Sequence, residues 1–196
     1  MKQITLFIML LAALLLLLTG CGSAEPVQDP HPDWDEAWFR VSPDVGVETP
    51  VGFAFNESND VMSPDGLYYA TWTAGEGRDI TNAQGRDAVV YDAQIYVLVK
   101  VCGEKADAEA DVSEWMAREK SSYETAPETE LTAAGQAFRV LPLTKGSEDN
   151  PYGRGVAAFA VRENTAITVE LLCADAWTGD LESTLGAFLN GFHYGN

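Results

Sequence analysis

Histidine is nearly missing from this chain, basic residues are few, and cysteine occurs three times. The two histidines are His31, in a proline-rich stretch, and His193, three residues from the C-terminus. A Ser/His/Asp enzyme needs an imidazole beside its serine, and no Gly-x-Ser-x-Gly turn is present to raise one. Both absences argue against that chemistry. A zinc site needs several Cys or His at short spacing, and the sequence offers none. No metal ligand set of recognised spacing and no cofactor is therefore expected. Lys and Arg total 12 against 30 Asp and Glu, a formal net charge of −18. Such a chain lacks the basic patches that nucleic acid or an anionic membrane surface requires. Its acidity fits a solvated, self-repelling surface, or one that meets a cation or a basic partner.

Long apolar runs are equally scarce. The one that exists covers residues 4–18, broken only by Thr5, and follows Lys2 closely. As a helix it would measure roughly 22 Å, short of a hydrocarbon core of ~30 Å. A charged tip, an apolar centre and small residues after it is the layout of a secretory signal. Leu18-Thr19-Gly20-Cys21 resembles the bacterial lipobox, in which an aliphatic residue and two small ones precede an obligatory cysteine. That resemblance implies that the Cys21 thiol carries diacylglycerol and that the chain is cut before it. Two acyl chains hold a protein stably at a bilayer, where one is marginal. The expected organisation is a signal peptide over 1–20, the lipidated Cys21 with a flexible tether over 21–32, and a single α+β domain over 33–196. Cleavage removes one lysine and no acid, so the mature charge moves from −18 to −19.

Two cysteines remain, Cys102 and Cys173, in a compartment that permits a disulfide. Each ends a strand-like run, "IYVLVKVC" and "AITVELLC". In a strand, alternate residues share a face. Cys173 then shares the side of Ile167, Val169 and Leu171, whereas Cys102 lies opposite Val97, Val99 and Val101. Two separate buried thiols are expected ahead of a Cys102–Cys173 bridge.

Along the chain, "DWDEAWFR" (33–40) reads as a short helix, with Asp33 and Glu36 as a capping box and Trp34 and Trp38 one turn apart. From 45 to 102 the pattern is β, including "VGFAF", "LYYATWT" and a long run over 87–103 that bends near Asp92; "ITNAQGRD" between them reads as a polar connector. A helix capped by Asp111 and Glu114 follows, with Val112, Trp115, Met116 and Tyr123 at helical spacing. "GQAFRVLPL" restores a strand, residues 155–173 form a hairpin with Glu163 and Asn164 at its tip, and a closing helix buries Leu181, Leu185, Phe188, Leu189 and Phe192. A body of ~160 residues buries roughly 70% of its unfolded surface and needs no staple.

The order of the second half is distinctive. "IYVLVKV", "DVSEWM", "AFRVLPL", "GVAAFAV", "ITVELL" and "LGAFLNGF" run strand, helix, strand, hairpin, helix over about residues 88–194. This resembles the PsbP-like family, which includes small bacterial lipoproteins. The resemblance implies an α+β fold, a mainly antiparallel sheet flanked by helices in an α/β/α sandwich. It also implies a non-enzymatic binding or assembly role, since the fold serves chiefly as an accessory module.

Candidate sites are few. Gly153-Arg154-Gly155-Val156-Ala157-Ala158 superficially matches a dinucleotide loop but leads into a strand, so no helix N-terminus would face a pyrophosphate. Asp29, Asp33, Asp35 and Glu36, and separately Glu148, Asp149 and Asn150, are dense in oxygen donors without the EF-hand spacing. The long connector over 144–155 is the best binding candidate, with Lys145, Glu148, Asp149, Asn150, Tyr152 and Arg154. Two classes of function follow. The first is a lipid-anchored extracytoplasmic module that binds an envelope protein. The second is a hydrolase whose carboxylates meet only in three dimensions, marked by a cleft with two acids of raised pKa. The lack of histidine within the body favours the binder, and capture of a small ligand or cation between sheet and helix is a third course.

Overall fold

The computed structural model describes residues 38–59, 66–81, 85, 87–146 and 150–195. The lipobox, the tether and the Asp33/Glu36 capping box lie outside them. In chain order the elements are β1 (Trp38–Ser42), β2 (Val45–Glu48), β3 (Ala54–Ser58), β4 (Leu67–Ala74), β5 (Arg78–Thr81), β6 (Asp87–Val90) and β7 (Ala93–Val101). Helix α1 (Lys105–Ser122) follows, then β8 (Tyr123–Thr125), β9 (Thr129–Ala133), β10 (Gln136–Gly146), β11 (Arg154–Arg162), β12 (Thr165–Cys173), helix α2 (Leu181–Asn190) and β13 (Phe192–Tyr194). The class is α+β. The main sheet has the order β3-β4-β7-β12-β11-β10-β8, with β9 also on β10, and its pairs are antiparallel.

Side-chain alternation gives the sheet two apolar faces. In the centre Val97 pairs with Val169 and Ile95 with Leu171. These point to a first face, together with Ala158 of β11 and Trp72 of β4. A small sheet of order β1-β2-β13 and helix α2 cover that face, burying Val45, Val47, Leu185, Phe188 and Leu189. Leu98, Ala157, Phe159 and Leu141 point the other way, and α1 covers them with Ala108, Val112, Trp115 and Met116. Helices thus flank the sheet on both sides, and the first side also carries three strands. Cys173 is buried in the first face and Cys102 packs against the second, both as free thiols. Burial pushes Cys173 up to about 12 and, with Asp111 beside it, Cys102 up to about 11. Thiols so placed stay protonated and unreactive at neutral pH.

Several sequence expectations need correction. Trp38 opens a strand rather than continuing a helix; it stands opposite Glu48 of β2 and its ring stacks on His193 at 3.3 Å. Asp111 and Glu114 do not cap α1, which begins six residues before Asp111, after Glu104. The alanines, glutamate and lysine of "EKADAEAD" are strong helix formers and extend it, while Asp111 accepts a bond from Lys100 at 2.8 Å. Tyr123 belongs to β8, where the chain turns extended. The polar connector carries β5, paired with β6 in a hairpin. The β11–β12 hairpin turns at Glu163 and Asn164, and Asn164 Nδ2 ties that tip to the carbonyl of Cys102 at 2.6 Å.

Candidate functional site

The closing helix does not cover the whole first face of the sheet. Its N-terminus is fixed by Asp180, whose carboxylate accepts from the Ser183 amide at 2.7 Å. Helix dipole and cap agree there, an acid facing free N–H groups. Leu185, Phe188 and Leu189 then dive into the core. Beside them α2, β9, β10 and β11 leave a cleft of about 540 Å³. Its apolar walls come from Leu131, Val140, Pro142, Val156, Leu181 and Leu185, and its polar ones include Arg154, Asp180 and Glu182.

Gly186 lines this cleft at mid-helix. A glycine there destabilises a helix by roughly 0.5–1 kcal/mol relative to alanine. Close packing elsewhere explains such choices: at Gly155 a Cβ would lie 2.5 Å from the Leu171 carbonyl oxygen. At Gly186 a Cβ would meet nothing within 4 Å. No neighbour demands the glycine, and it leaves that stretch of the cleft wall without a side chain.

Arg154 stands at the mouth as the first residue of β11. Its Nη2 donates to the Trp177 carbonyl at 2.8 Å, and its guanidinium lies 6.0 Å from the centre of the Trp177 ring. The ring in turn lies across Gly179, where any side chain would collide with it. The arginine is thus held by a hydrogen bond and a cation–π contact rather than left to swing.

The sequence-predicted connector divides at this point. Arg154 joins the cleft. Tyr152 is buried, its hydroxyl donating to Gln94 Oε1 at 2.9 Å, and Asn150 Oδ1 accepts from the Tyr152 amide at 3.0 Å. Lys145 pairs with Glu124 at 3.3 Å, both exposed. The connector's ends are joined by the Gly146 amide on the Gly153 carbonyl at 2.9 Å. Glu148 and Asp149 lie outside the described residues, as do Cys21, His31, Asp29, Asp33, Asp35 and Glu36. His193 is a packing residue, under Trp38 and 3.0 Å from Glu48. Among the described residues no three His, Cys, Asp or Glu side chains are grouped to hold a metal ion, and no helix is long and apolar enough to cross a membrane. Two acids, Glu119 and Glu170, are brought to the same guanidinium, that of Arg118, but they are buried between α1 and β12 and not on the cleft walls. Sequence reading passed over the cleft itself. The signal was present in "LESTLGAFLN", where a glycine stands beside an unbroken helical stripe at mid-helix.

No protein family profile matches the chain, and no curated protein matches it. In fold the chain is similar to the solution structure of cyanobacterial PsbP (CyanoP) from Synechocystis sp. PCC 6803. The TM-score is 0.44 at 13% identity, covering 90% of this chain and 98% of that one.

Proposed function

We propose that this protein is a non-enzymatic binding module, lipid-anchored through Cys21 outside the cytoplasm, that holds a protein of the cell envelope at the cleft between α2 and the sheet. The observation that carries the reading is the combination at the cleft. An apolar floor is bordered by a helix glycine that packing does not require, and an arginine is fixed at its edge. At protein interfaces, a few anchor side chains of the partner fill well-packed pockets, and an apolar cleft with placed polar groups can take such an anchor. The Leu18-Thr19-Gly20-Cys21 motif supports the anchor.

The test separates binding from folding. Gly186→Leu adds a side chain to the cleft wall at a position where its Cβ meets no neighbour, and it removes the glycine cost, so the variant melts at or above the wild-type temperature. A photo-reactive side chain installed at Glu182 crosslinks a membrane-associated protein in the native host, and the adduct disappears when Gly186→Leu is added. An adduct that persists with Gly186→Leu, or one formed equally well from Glu114 on the exposed side of α1, contradicts the assignment.

A further inference from the structure

One residue breaks the apolar stripe of α1. Its buried positions are Ala108, Val112, Trp115, Met116 and Glu119, the spacing of a single helix face, and the last places a carboxylate over the sheet. The strand beneath does the same. Glu170 is the register partner of Tyr96 on β7 and of Ala157 on β11, so it points to the face that α1 covers. The two acids are 5% and 7% exposed. They share one guanidinium, Arg118 donating through Nε to Glu119 Oε1 at 3.0 Å and through Nη2 to Glu170 Oε1 at 3.0 Å.

The other groups facing Glu170 do not balance this charge. Tyr96 faces it from β7, with Tyr69 of β4 stacked on that ring at 6.0 Å, and Tyr123 faces it from β8. Burial raises the Tyr96 and Tyr123 hydroxyls, so both stay neutral. Glu57 of β3 acts on Tyr96 as a further negative charge, and β11 presents the untitratable Ala157. Two carboxylates against one arginine leave a buried negative charge, which is unfavourable unless it is neutralised. A proton held between two crowded carboxylates is the usual solution.

We propose that Glu119 and Glu170 form a proton-binding pair, and that gain or loss of this proton sets how firmly the C-terminal half of α1 is held on the sheet. With the proton present the charges of the triad cancel. Without it the carboxylates repel across Arg118, and the last turns of α1 loosen first. The pair stands apart from the cleft and does not depend on its role. Burial, reinforced by the charge of Glu119, pushes Glu170 up to about 7 from the ordinary value of 4.5. The folded state therefore keeps a proton that the unfolded chain releases between those values. The stabilisation is complete below about 4.5 and is lost as pH rises through about 7.

Amide-exchange protection factors of residues 115–122, measured on the full-length protein in neutral detergent micelles, test this. Between pH 5 and 7.5 protection falls at least tenfold relative to β11 and β12, at a slope of up to about tenfold per pH unit, and then levels. In Glu170→Gln the slope disappears. A flat wild-type profile, or an unchanged slope in Glu170→Gln, overturns the proposal. Should that variant not fold, 13C NMR of the wild-type glutamate carboxyls decides: one carboxyl titrating near neutrality supports the pair, and titration of every carboxyl below pH 5 overturns it.

Discussion

Phe188→Ala destabilises the folded body by about 3–5 kcal/mol, seen in urea as a lower midpoint with an unchanged slope. Phe188 is 2% exposed and meets Trp72 and Phe192 edge-on, each at 5.5 Å between ring centres. Such aromatic pairs contribute roughly 0.5–1.5 kcal/mol beyond the area they bury. Truncation removes both pairs and opens a cavity between α2 and β4, walled by residues that belong to three different elements and cannot collapse together. Phe188→Leu keeps most of the volume and costs under about 1.5 kcal/mol if repacking succeeds. A loss below 1 kcal/mol for Phe188→Ala would mean that α2 is phased differently on the sheet.

Trp115→Ala produces a loss of the same size, about 3–5 kcal/mol, on the opposite face. Trp115 packs with Val112 and Met116 of α1 over Leu98, Phe159 and Leu141. The sheet separates it from Phe188, with no shared neighbour in the two clusters. Effects at such sites add within about 0.5 kcal/mol. The double variant therefore loses roughly 6–10 kcal/mol, comparable with the whole stability of a typical domain. Marked non-additivity in thermal or urea unfolding would show that the two faces are not independent layers.

What the sequence disclosed follows from how strongly each pattern is constrained. The β11–β12 hairpin was legible because β11 is apolar on both faces, β12 is apolar along Ile167, Val169 and Leu171, and the polar pair Glu163-Asn164 interrupts them. Trp115 and Phe188 were legible because helical spacing needs only the neighbouring turn. The β9–β10 hairpin was not, because its turn holds Ala134 at φ 47° before Gly135 at φ 72°. Asn or Asp is the usual residue there, and alanine gives no warning. Strands β1 and β13 were hidden by their shortness, and β13 is held by pairing with β2, from the other end of the chain. At the candidate site, Arg154 could be suspected from its place in a long connector. Its use could not, because Trp177 holds it, and Gly179 and Gly186 line the same cleft, only once α2 has docked on the sheet. Glu119 and Glu170 were overlooked for a related reason, since each looks like an ordinary surface acid until helix and strand are superposed.

In the proposed function, the place where this body works depends on one thiol, Cys21. A diacylglyceryl group on it would bring the acidic domain to a membrane surface without any spanning helix, and the cleft would meet its partner there. The direct measurement is the intact mass of the protein extracted from membranes of its native host, alongside Cys21→Ala. The expected result is a chain beginning at Cys21 and heavier by its acyl groups, while Cys21→Ala is neither lipidated nor cut between residues 20 and 21. A wild-type chain that begins at Met1, or an N-terminus at Cys21 without lipid, would contradict it.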